Sequence, residues 1–215
     1  MDLYATARER MVREQIEARG MHDPRVCAAM REVPRHLFAG TDDPALAYDD
    51  RPLPIGSGQT ISQPYIVAVM TEALRLREDA HVLEVGTGCG YQAAMLSLLA
   101  RDVVSIERHP ALAERAAERL ATLGYRNVRV IVGDGTRGWA DEAPYDGMLV
   151  AAGAPAVPDA LRRQLADGGR LVIPVGNEYL QHLTVVTRDG DAFHQVVASA
   201  CAFVPLVGEQ GWPDR

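Results

Sequence analysis

Cysteine and histidine are too few and too scattered in this chain to build a covalent or metal-bound framework. Its 215 residues include three cysteines and six histidines. Cys27, Cys89 and Cys201 form no CxxC pair, and no HExxH segment occurs. Disulfide networks and zinc sites need such spacings. The sequence therefore predicts no disulfide framework and no metal site.

Long apolar runs and an excess of positive charge are also missing. No stretch approaches the roughly 18 consecutive apolar residues of a membrane-spanning helix, and the charged N-terminus has no signal-peptide core. The formal net charge is −7, whereas nucleic-acid binding depends on clustered basic residues. We expect a cytoplasmic, monomeric protein that binds neither nucleic acid nor membranes.

The length and composition predict a single domain over residues 1–215. Apolar residues recur at helical spacing over residues 6–19, and Gly20 ends that helix. Five prolines punctuate residues 21–58, where we expect short helices and a long surface loop. Residues 1–60 are thus interpreted as an N-terminal extension, and residues 61–215 as a cofactor-binding core with a C-terminal hairpin.

The core alternates short Val-, Ile- and Leu-rich segments with helices, which is typical of parallel strands buried on both faces. The predicted strands are His81–Val85, Val103–Ile106, Val128–Val132, Gly147–Ala151 and Arg170–Val175. Two further strands, His182–Thr187 and Phe193–Ala200, flank an Asp-Gly hairpin signal. The pattern predicts an α/β fold with a doubly wound, Rossmann-like, mostly parallel seven-stranded sheet that finishes in an antiparallel pair.

Three glycines follow the first core strand at alternate positions. Gly86, Gly88 and Gly90 allow a sharp turn and let a ligand approach the backbone without meeting a Cβ atom. The dinucleotide fingerprint reads GxGxxG, whereas this segment reads GxGxG and has Glu84 two residues ahead. A carboxylate suits a cationic ligand that carries an amine and repels a pyrophosphate. We therefore interpret the turn as an S-adenosylmethionine site rather than a nicotinamide site.

Two more acids end the next two strands. Glu107 lies about twenty residues beyond the first glycine, where such folds place a carboxylate on ribose hydroxyls. Asp134, followed by Gly135, ends the next strand, where the side chain or the neighbouring backbone meets an adenine amino group. Acids at three successive strand ends favour one ligand edge over three unrelated solvated loops.

The methyl acceptor is constrained by the residues that are missing near the turn. Hydroxyl and amine acceptors need a base, and we interpret His81 and His109 as structural. A carboxylate, with a reference pKa of about 4, is already ionised at neutral pH. Orientation and exclusion of water then supply most of the rate.

Five segments together resemble the protein-L-isoaspartate (D-aspartate) O-methyltransferase family, over almost the whole chain from Met11 to Trp212. They are Gly58–Pro64, the glycine turn with Tyr91–Ala94, Val132–Trp139, Gly169–Gly176 and Phe203–Gly208. The resemblance implies the class I methyltransferase fold, S-adenosylmethionine as cofactor with S-adenosylhomocysteine as product, and repair of isoaspartyl residues in damaged proteins through a succinimide.

The resemblance also implies which residues meet the substrate. Ser62 donates its hydroxyl to the acceptor carboxylate, with Ile61 beside it, and a segment containing Val204 lines a peptide groove with main-chain groups. From the sequence alone, an N-cap role for Ser62, on the helix that begins near Pro64, is favoured over a catalytic role. Both roles remain open at this point.

The main alternative is a methyltransferase of the same fold that modifies an aspartyl carboxylate in one dedicated peptide. A dedicated modifier often carries extra segments, and the sequence shows none beyond Trp212, which favours repair. A non-catalytic binding module is disfavoured by Ser62 and the three acids. Cys89 departs from the family pattern, which has serine or another small residue there, and we expect the similar-sized thiol to leave cofactor binding intact.

Overall fold

The computed structural model describes residues 2–214, which contain nine strands in two sheets. The strands are β1 (Leu53–Gly56), β2 (Gln59–Ile61), β3 (His81–Val85), β4 (Asp102–Glu107), β5 (Val128–Val132), β6 (Tyr145–Val150), β7 (Leu165–Gly176), β8 (Gln181–Asp189) and β9 (Ala192–Cys201). The first two form a hairpin, and the other seven form the main sheet in the order β5-β4-β3-β6-β7-β8-β9. The predicted fold class is confirmed.

The strand order creates a crevice in the middle of the main sheet. Strands β3 to β7 run parallel to one another. Strand β8 is antiparallel to β7, and β9 is antiparallel to β8. The chain moves outwards from β3 to β5 and then returns to place β6 on the other side of β3. Open α/β sheets bind ligands at such a switch point, outside the carboxyl ends of the strands.

The predicted strands match the observed ones closely. Two of them, β3 and β5, agree to the residue; the ends of the others lie one to five residues beyond the predicted ends, except that β6 ends one residue early, at Val150. The largest difference is at the start of β7, which begins at Leu165 rather than Arg170 because Leu165 already pairs with Tyr145 of β6. A loop-like Asp167-Gly168-Gly169 sequence hides this earlier start.

Helices pack on both faces of the main sheet and form the N-terminal region. They are α1 (Leu3–Met11), α2 (Pro24–Glu32), α3 (His36–Ala39), α4 (Pro44–Ala47), α5 (Pro64–Leu74), α6 (Tyr91–Ser97), α7 (Pro110–Thr122) and α8 (Asp159–Arg163). The single helix predicted over residues 6–19 is instead α1, a π-helical turn (Val12–Ile16) and a 3-10 turn (Glu17–Arg19). Gly20 ends it as expected, with a left-handed φ of 89°.

The N-terminal helices share a hydrophobic cluster with the helices beside the glycine turn. Met11, Ile16 and Met30 are fully buried in this cluster together with Ala94 of α6, and Leu120 of α7 joins them. Burial of such side chains is the dominant favourable contribution to folding. The predicted division of the chain at residue 60 and the single domain stay predictions.

The segment 21–58 differs from the expected loop. Besides α2, α3 and α4 it contains β1, and β1 pairs with β2 across Ser57 and Gly58. Ser57 and Gly58 both have positive φ, which a tight hairpin turn requires. The alternation of Leu53 to Ile61 was a sequence signal for this hairpin that the prolines obscured.

Every helix described between residues 2 and 214 is too short or too polar to span a membrane. Within the same residues, no group of three His, Cys, Asp or Glu side chains is placed to hold a metal ion.

Candidate active site

A cavity lies at the switch point of the main sheet, and we call it the sheet-edge cavity. It is bounded by the glycine turn, by Glu107, by Ala151 and Ala152 after β6, and by residues 59–62 and 204–207. It contains about 1040 Å³ of empty space, including the part open to solvent. This position is the one at which α/β sheets bind nucleotide-like ligands.

Two of the three predicted glycines line the sheet-edge cavity. Gly86 and Gly88 have φ of 95° and 54°, and a Cβ atom on Gly88 would lie 3.1 Å from the Ile55 side chain. Gly90 begins α6 and packs against Leu120 instead, so it serves the fit between helices. The turn therefore leaves bare backbone against the cavity, as a closely fitting ligand requires.

Glu107 also lines the cavity, at the end of β4. Its carboxylate accepts hydrogen bonds from the backbone N–H groups of Gly88 at 2.8 Å and His109 at 3.0 Å. It is nearly buried, with 5% of the residue surface exposed. Glu107 thus braces the glycine turn and presents a carboxylate where ribose hydroxyls are expected.

Glu84 does not line the sheet-edge cavity, which differs from the expectation that it faces a cationic ligand. It is fully buried beneath the turn, where it pairs in register with Ser105 of β4 and accepts that residue's hydroxyl hydrogen bond. Ser105 is in turn 2.5 Å from the Thr87 hydroxyl. Burial raises the pKa of Glu84 to about 8. Glu84 misses the cavity because it lies within β3, before the turn begins, where its side chain packs beside Ser105 of the neighbouring strand.

The adjacent residues Asp134 and Gly135 have different positions relative to the sheet-edge cavity. Gly135 lines the cavity, and a Cβ atom there would overlap Val85. The Asp134 carboxylate instead accepts hydrogen bonds from the backbone of Thr136 at 2.9 Å and of Glu209 at 2.9 Å. It fastens the C-terminal segment, and the backbone beside it is what reaches the cavity.

A second space, which we call the side groove, adjoins the first. Its lining includes Arg19, Tyr65 and residues 199–204, and it contains about 1210 Å³ of empty space. Ser62 and Val204 line both spaces, whereas Ile61 lines the sheet-edge cavity only. Ser62 therefore stands at the junction of the two.

The N-cap role considered for Ser62 is wrong. Gln63 occupies the cap position of α5, and no side chain of that cap residue bonds to the helix. Within residues 2–214, the Ser62 hydroxyl has no hydrogen-bond partner. A hydroxyl without an internal partner at the wall of two connected spaces is free to bind a ligand.

The C-terminal segment also contributes to the walls of both spaces, through Val204. The carbonyl of Val204 accepts the N–H of Gly153, and the N–H of Leu206 donates to the Gly153 carbonyl, both at 2.8 Å. The N–H of Phe203 donates to the Gln181 side chain at 2.8 Å. Several main-chain groups of this segment are therefore already used inside the protein, which holds Val204 in place at the junction.

The two histidines interpreted as structural, His81 and His109, differ in their surroundings. His81 stacks on Tyr145 with ring centroids 4.5 Å apart, as a structural residue should. His109, also interpreted as structural, instead lines the sheet-edge cavity near Glu107. Its place at the start of α7 puts it next to Glu107, and it does not line the side groove.

Residues from the hairpin, the N-terminal extension and α5 were missed. Thr60 lines both spaces, and Arg19 and Tyr65 line the side groove. Thr60 lies in a segment that carries the family resemblance, whereas Arg19 reaches the groove only through long-range packing that its local sequence does not indicate.

A family model described as protein-L-isoaspartate(D-aspartate) O-methyltransferase (PCMT) matches residues 6–211. The chain belongs to this family. A protein-L-isoaspartate O-methyltransferase of Methanospirillum hungatei is 55% identical over 212 residues, which cover 99% of this chain and 98% of the relative. Another, of Pelobacter propionicus, is 56% identical over 207 residues, covering 95% and 92%.

Solved structures agree with this membership. One protein-L-isoaspartate O-methyltransferase superposes with a TM-score of 0.85 at 28% identity, covering 95% of this chain and 67% of that chain. A PCMT structure from Plasmodium falciparum, in complex with S-adenosyl-L-homocysteine, has a TM-score of 0.79 at 24% identity. The match covers 92% of this chain and 96% of that chain, and it supports the fold. The predicted family and cofactor are confirmed, and this PCMT chain is an S-adenosylmethionine-dependent methyltransferase.

The cysteine in the PCMT glycine turn is held in an unreactive state. Cys89 lines the sheet-edge cavity but is 94% buried as a residue, with 6% of its surface exposed. Burial raises the pKa of the thiol, which disfavours the nucleophilic thiolate.

Proposed function

We propose that this chain transfers a methyl group from S-adenosylmethionine to the free carboxylate of an L-isoaspartyl residue in a damaged protein or peptide. The sheet-edge cavity takes the cofactor, the side groove takes the peptide, and the two meet at Ser62. The observation that carries the proposal is the position of the Ser62 hydroxyl on the wall of both spaces, without a hydrogen-bond partner in residues 2–214.

The cavity suits the cofactor in shape and charge. Bare backbone at Gly86, Gly88 and Gly135 leaves room where Cβ atoms would intrude or crowd the wall. The Glu107 carboxylate provides an acceptor for two neighbouring hydroxyls. When bound, S-adenosylmethionine supplies an electrophilic methyl group on a sulfonium sulfur.

The side groove suits a carboxylate acceptor because its wall offers no imidazole, carboxylate or lysine amine to take up a proton. Among the described residues that line it there is no histidine, aspartate or glutamate, and the chain contains no lysine. A hydroxyl or amine acceptor would have to lose a proton to such a group. A carboxylate is already ionised at neutral pH, so Ser62 needs only to orient it by donating a hydrogen bond.

Methyl transfer then balances without a proton transfer. A carboxylate oxygen forms a bond to the methyl carbon as the carbon–sulfur bond breaks, and the sulfur keeps the electron pair. The product ester loses methanol when the following backbone nitrogen attacks its carbonyl carbon and releases its proton, which gives a succinimide. Hydrolysis of the succinimide partly restores aspartate, and neither later step needs the enzyme.

The experiment uses two peptides of identical sequence, one with isoaspartate and one with aspartate. With labelled S-adenosylmethionine, we expect label in the isoaspartyl peptide and none above background in the aspartyl peptide. Equal labelling of both peptides would contradict the proposal, as would no labelling while the cofactor binds. A dedicated modifier of one aspartyl peptide, the alternative function, would label neither generic peptide.

A further inference from the structure

Asp50 lies in the loop before β1 and gathers three donors from the region around Ser62. Its carboxylate accepts hydrogen bonds from the guanidinium of Arg19 at 2.7 Å, the side-chain amide of Gln63 at 2.8 Å and the backbone N–H of Tyr65 at 2.9 Å. The Asp50 side chain is 20% exposed. Such a carboxylate forms strong, charge-assisted hydrogen bonds.

The bond to Tyr65 occurs at the start of α5. Pro64 is the first helical residue and has no N–H, so Tyr65 supplies the first donor of the helix. An N-cap side chain accepts from the residue two or three positions beyond it. Counted from Ser62, those positions are Pro64 and Tyr65, which leaves Tyr65 as the one donor that a Ser62 cap would use.

Asp50 and Ser62 are therefore competitors for one N–H group, and in the structure Asp50 has it. Its Oδ1 atom accepts from Tyr65, and the Ser62 hydroxyl is left without a partner among residues 2–214. An acceptor fifteen residues away in sequence caps the helix in place of the adjacent serine.

We propose that Asp50 is a positioning residue for methyl transfer, which caps α5 from the loop and so keeps the Ser62 hydroxyl available at the junction of cavity and groove. This rests on the proposed role of Ser62. Without Asp50, the free Tyr65 N–H draws the serine oxygen into the cap, and the hydroxyl turns away from the acceptor.

The same carboxylate holds two residues of the groove wall through its other oxygen. Oδ2 accepts from Arg19 and Gln63, and the Arg19 guanidinium lies 3.3 Å from the centre of the Tyr65 ring. Loss of the hydrogen bonds from Arg19 and Gln63 would change the wall of the side groove but leave the cap of α5 in place. Asp50→Asn separates the effects, because an amide oxygen in the Oδ1 place still accepts from Tyr65.

The experiment compares Asp50→Ala, Asp50→Asn, Ser62→Ala and the double variant Asp50→Ala/Ser62→Ala, with kcat on an isoaspartyl peptide and cofactor affinity as readouts. We expect Asp50→Ala to lower kcat about tenfold, because small displacements of an orienting group are costly. Cofactor affinity should change less than about twofold, since Asp50 does not line the sheet-edge cavity. Asp50→Asn should restore most of kcat.

The kcat of the double variant distinguishes a positioning role of Asp50 from a purely structural one. If Asp50 acts through Ser62, its removal lowers kcat no further once the hydroxyl is gone. Asp23→Ala is the matched control, because Asp23 caps α2 with its side chain and lines neither space. It should lower the melting temperature about as much as Asp50→Ala and leave kcat unchanged.

Multiplying effects in the double variant would overturn the proposal, as would a kcat of Asp50→Asn as low as that of Asp50→Ala. An equal loss of kcat in Asp23→Ala would assign the effect to general stability and overturn it as well. If Asp50→Ala does not fold, a stable Asp50→Asn protein with kcat as low as Ser62→Ala contradicts the proposal, and near-normal kcat supports it. Wild-type kcat in Ser62→Ala would instead remove the proposed role of Ser62.

Discussion

The proposed cofactor side and the proposed acceptor side of the candidate active site are built in different ways. The cofactor side comes from strand ends and the turns that follow them, where Gly86, Gly88, Glu107 and Gly135 each continue a strand of the main sheet. The acceptor side joins Ser62 to an N-terminal turn, a hairpin and a C-terminal segment that are far apart in the chain. The first is fixed by parallel strand register, and the second by individual long-range hydrogen bonds.

We therefore expect substitutions on the acceptor side to lower kcat and substitutions on the cofactor side to weaken cofactor affinity. Ser62→Ala, on the acceptor side, should lower kcat about 100-fold, which is typical for loss of one orienting donor in a water-poor site. Cofactor affinity should stay within about twofold of wild type. Steady-state kinetics and a direct cofactor titration measure the two quantities.

A weakened cofactor affinity with normal kcat in Ser62→Ala would break the comparison. A loss confined to thermal stability, of the ~1 kcal/mol expected of a helix cap, would return Ser62 to a structural role.

Glu107→Ala, on the cofactor side, should weaken cofactor binding about 10- to 100-fold. The variant loses a charged acceptor worth about 1.5–3 kcal/mol and leaves the N–H groups of Gly88 and His109 without their partner. Calorimetric titration with S-adenosylhomocysteine measures the change. Glu114→Ala, an exposed glutamate on α7, is the control and should bind normally; unchanged affinity in Glu107→Ala would remove Glu107 from the site.

Glu84→Gln should have the smallest effect, and the effect should appear in stability. Burial raises the pKa of Glu84 to about 8 from an ordinary 4.5, so folding favours its protonated form. A raised folded-state pKa means that the contribution is fully present below about pH 4.5 and is lost as pH rises through about 8. Glutamine mimics the protonated acid, so the variant should gain a few degrees in melting temperature relative to wild type between pH 5 and 8.

Thermal melts of both proteins across that range test this prediction. Parallel curves would show that Glu84 is ionised at neutral pH, which would restore a charged carboxylate beneath the glycine turn.

The residues that line the sheet-edge cavity were easier to predict from the sequence because their signals are local. Three glycines at alternate positions after a buried strand can be recognised without a structure, and a strand-end acid such as Glu107 follows from strand spacing. The direction of individual side chains was predicted less accurately. Glu84 lies near the end of β3 and Asp134 just after β5, yet the Glu84 side chain is buried against Ser105 and the Asp134 side chain fastens the C-terminal segment.

The acceptor side was poorly predicted because its chemistry depends on which partners long-range packing supplies. Locally, Ser62 with Pro64 fits an N-cap pattern, and only the family resemblance indicated a catalytic role. Asp50 decides between these interpretations by taking the Tyr65 N–H. No periodicity or motif in the sequence brings Asp50 next to Tyr65, since that contact depends on how the loop before β1 folds back.

If Ser62 only orients a carboxylate that is already ionised, methyl transfer needs no general base. The decisive measurement is kcat on a saturating isoaspartyl peptide between about pH 6 and 7.5, followed as S-adenosylhomocysteine released. A carboxylate acceptor stays ionised over this range, so we predict a flat profile. A kcat that falls about tenfold for each unit of decreasing pH would reveal a general base and contradict the account.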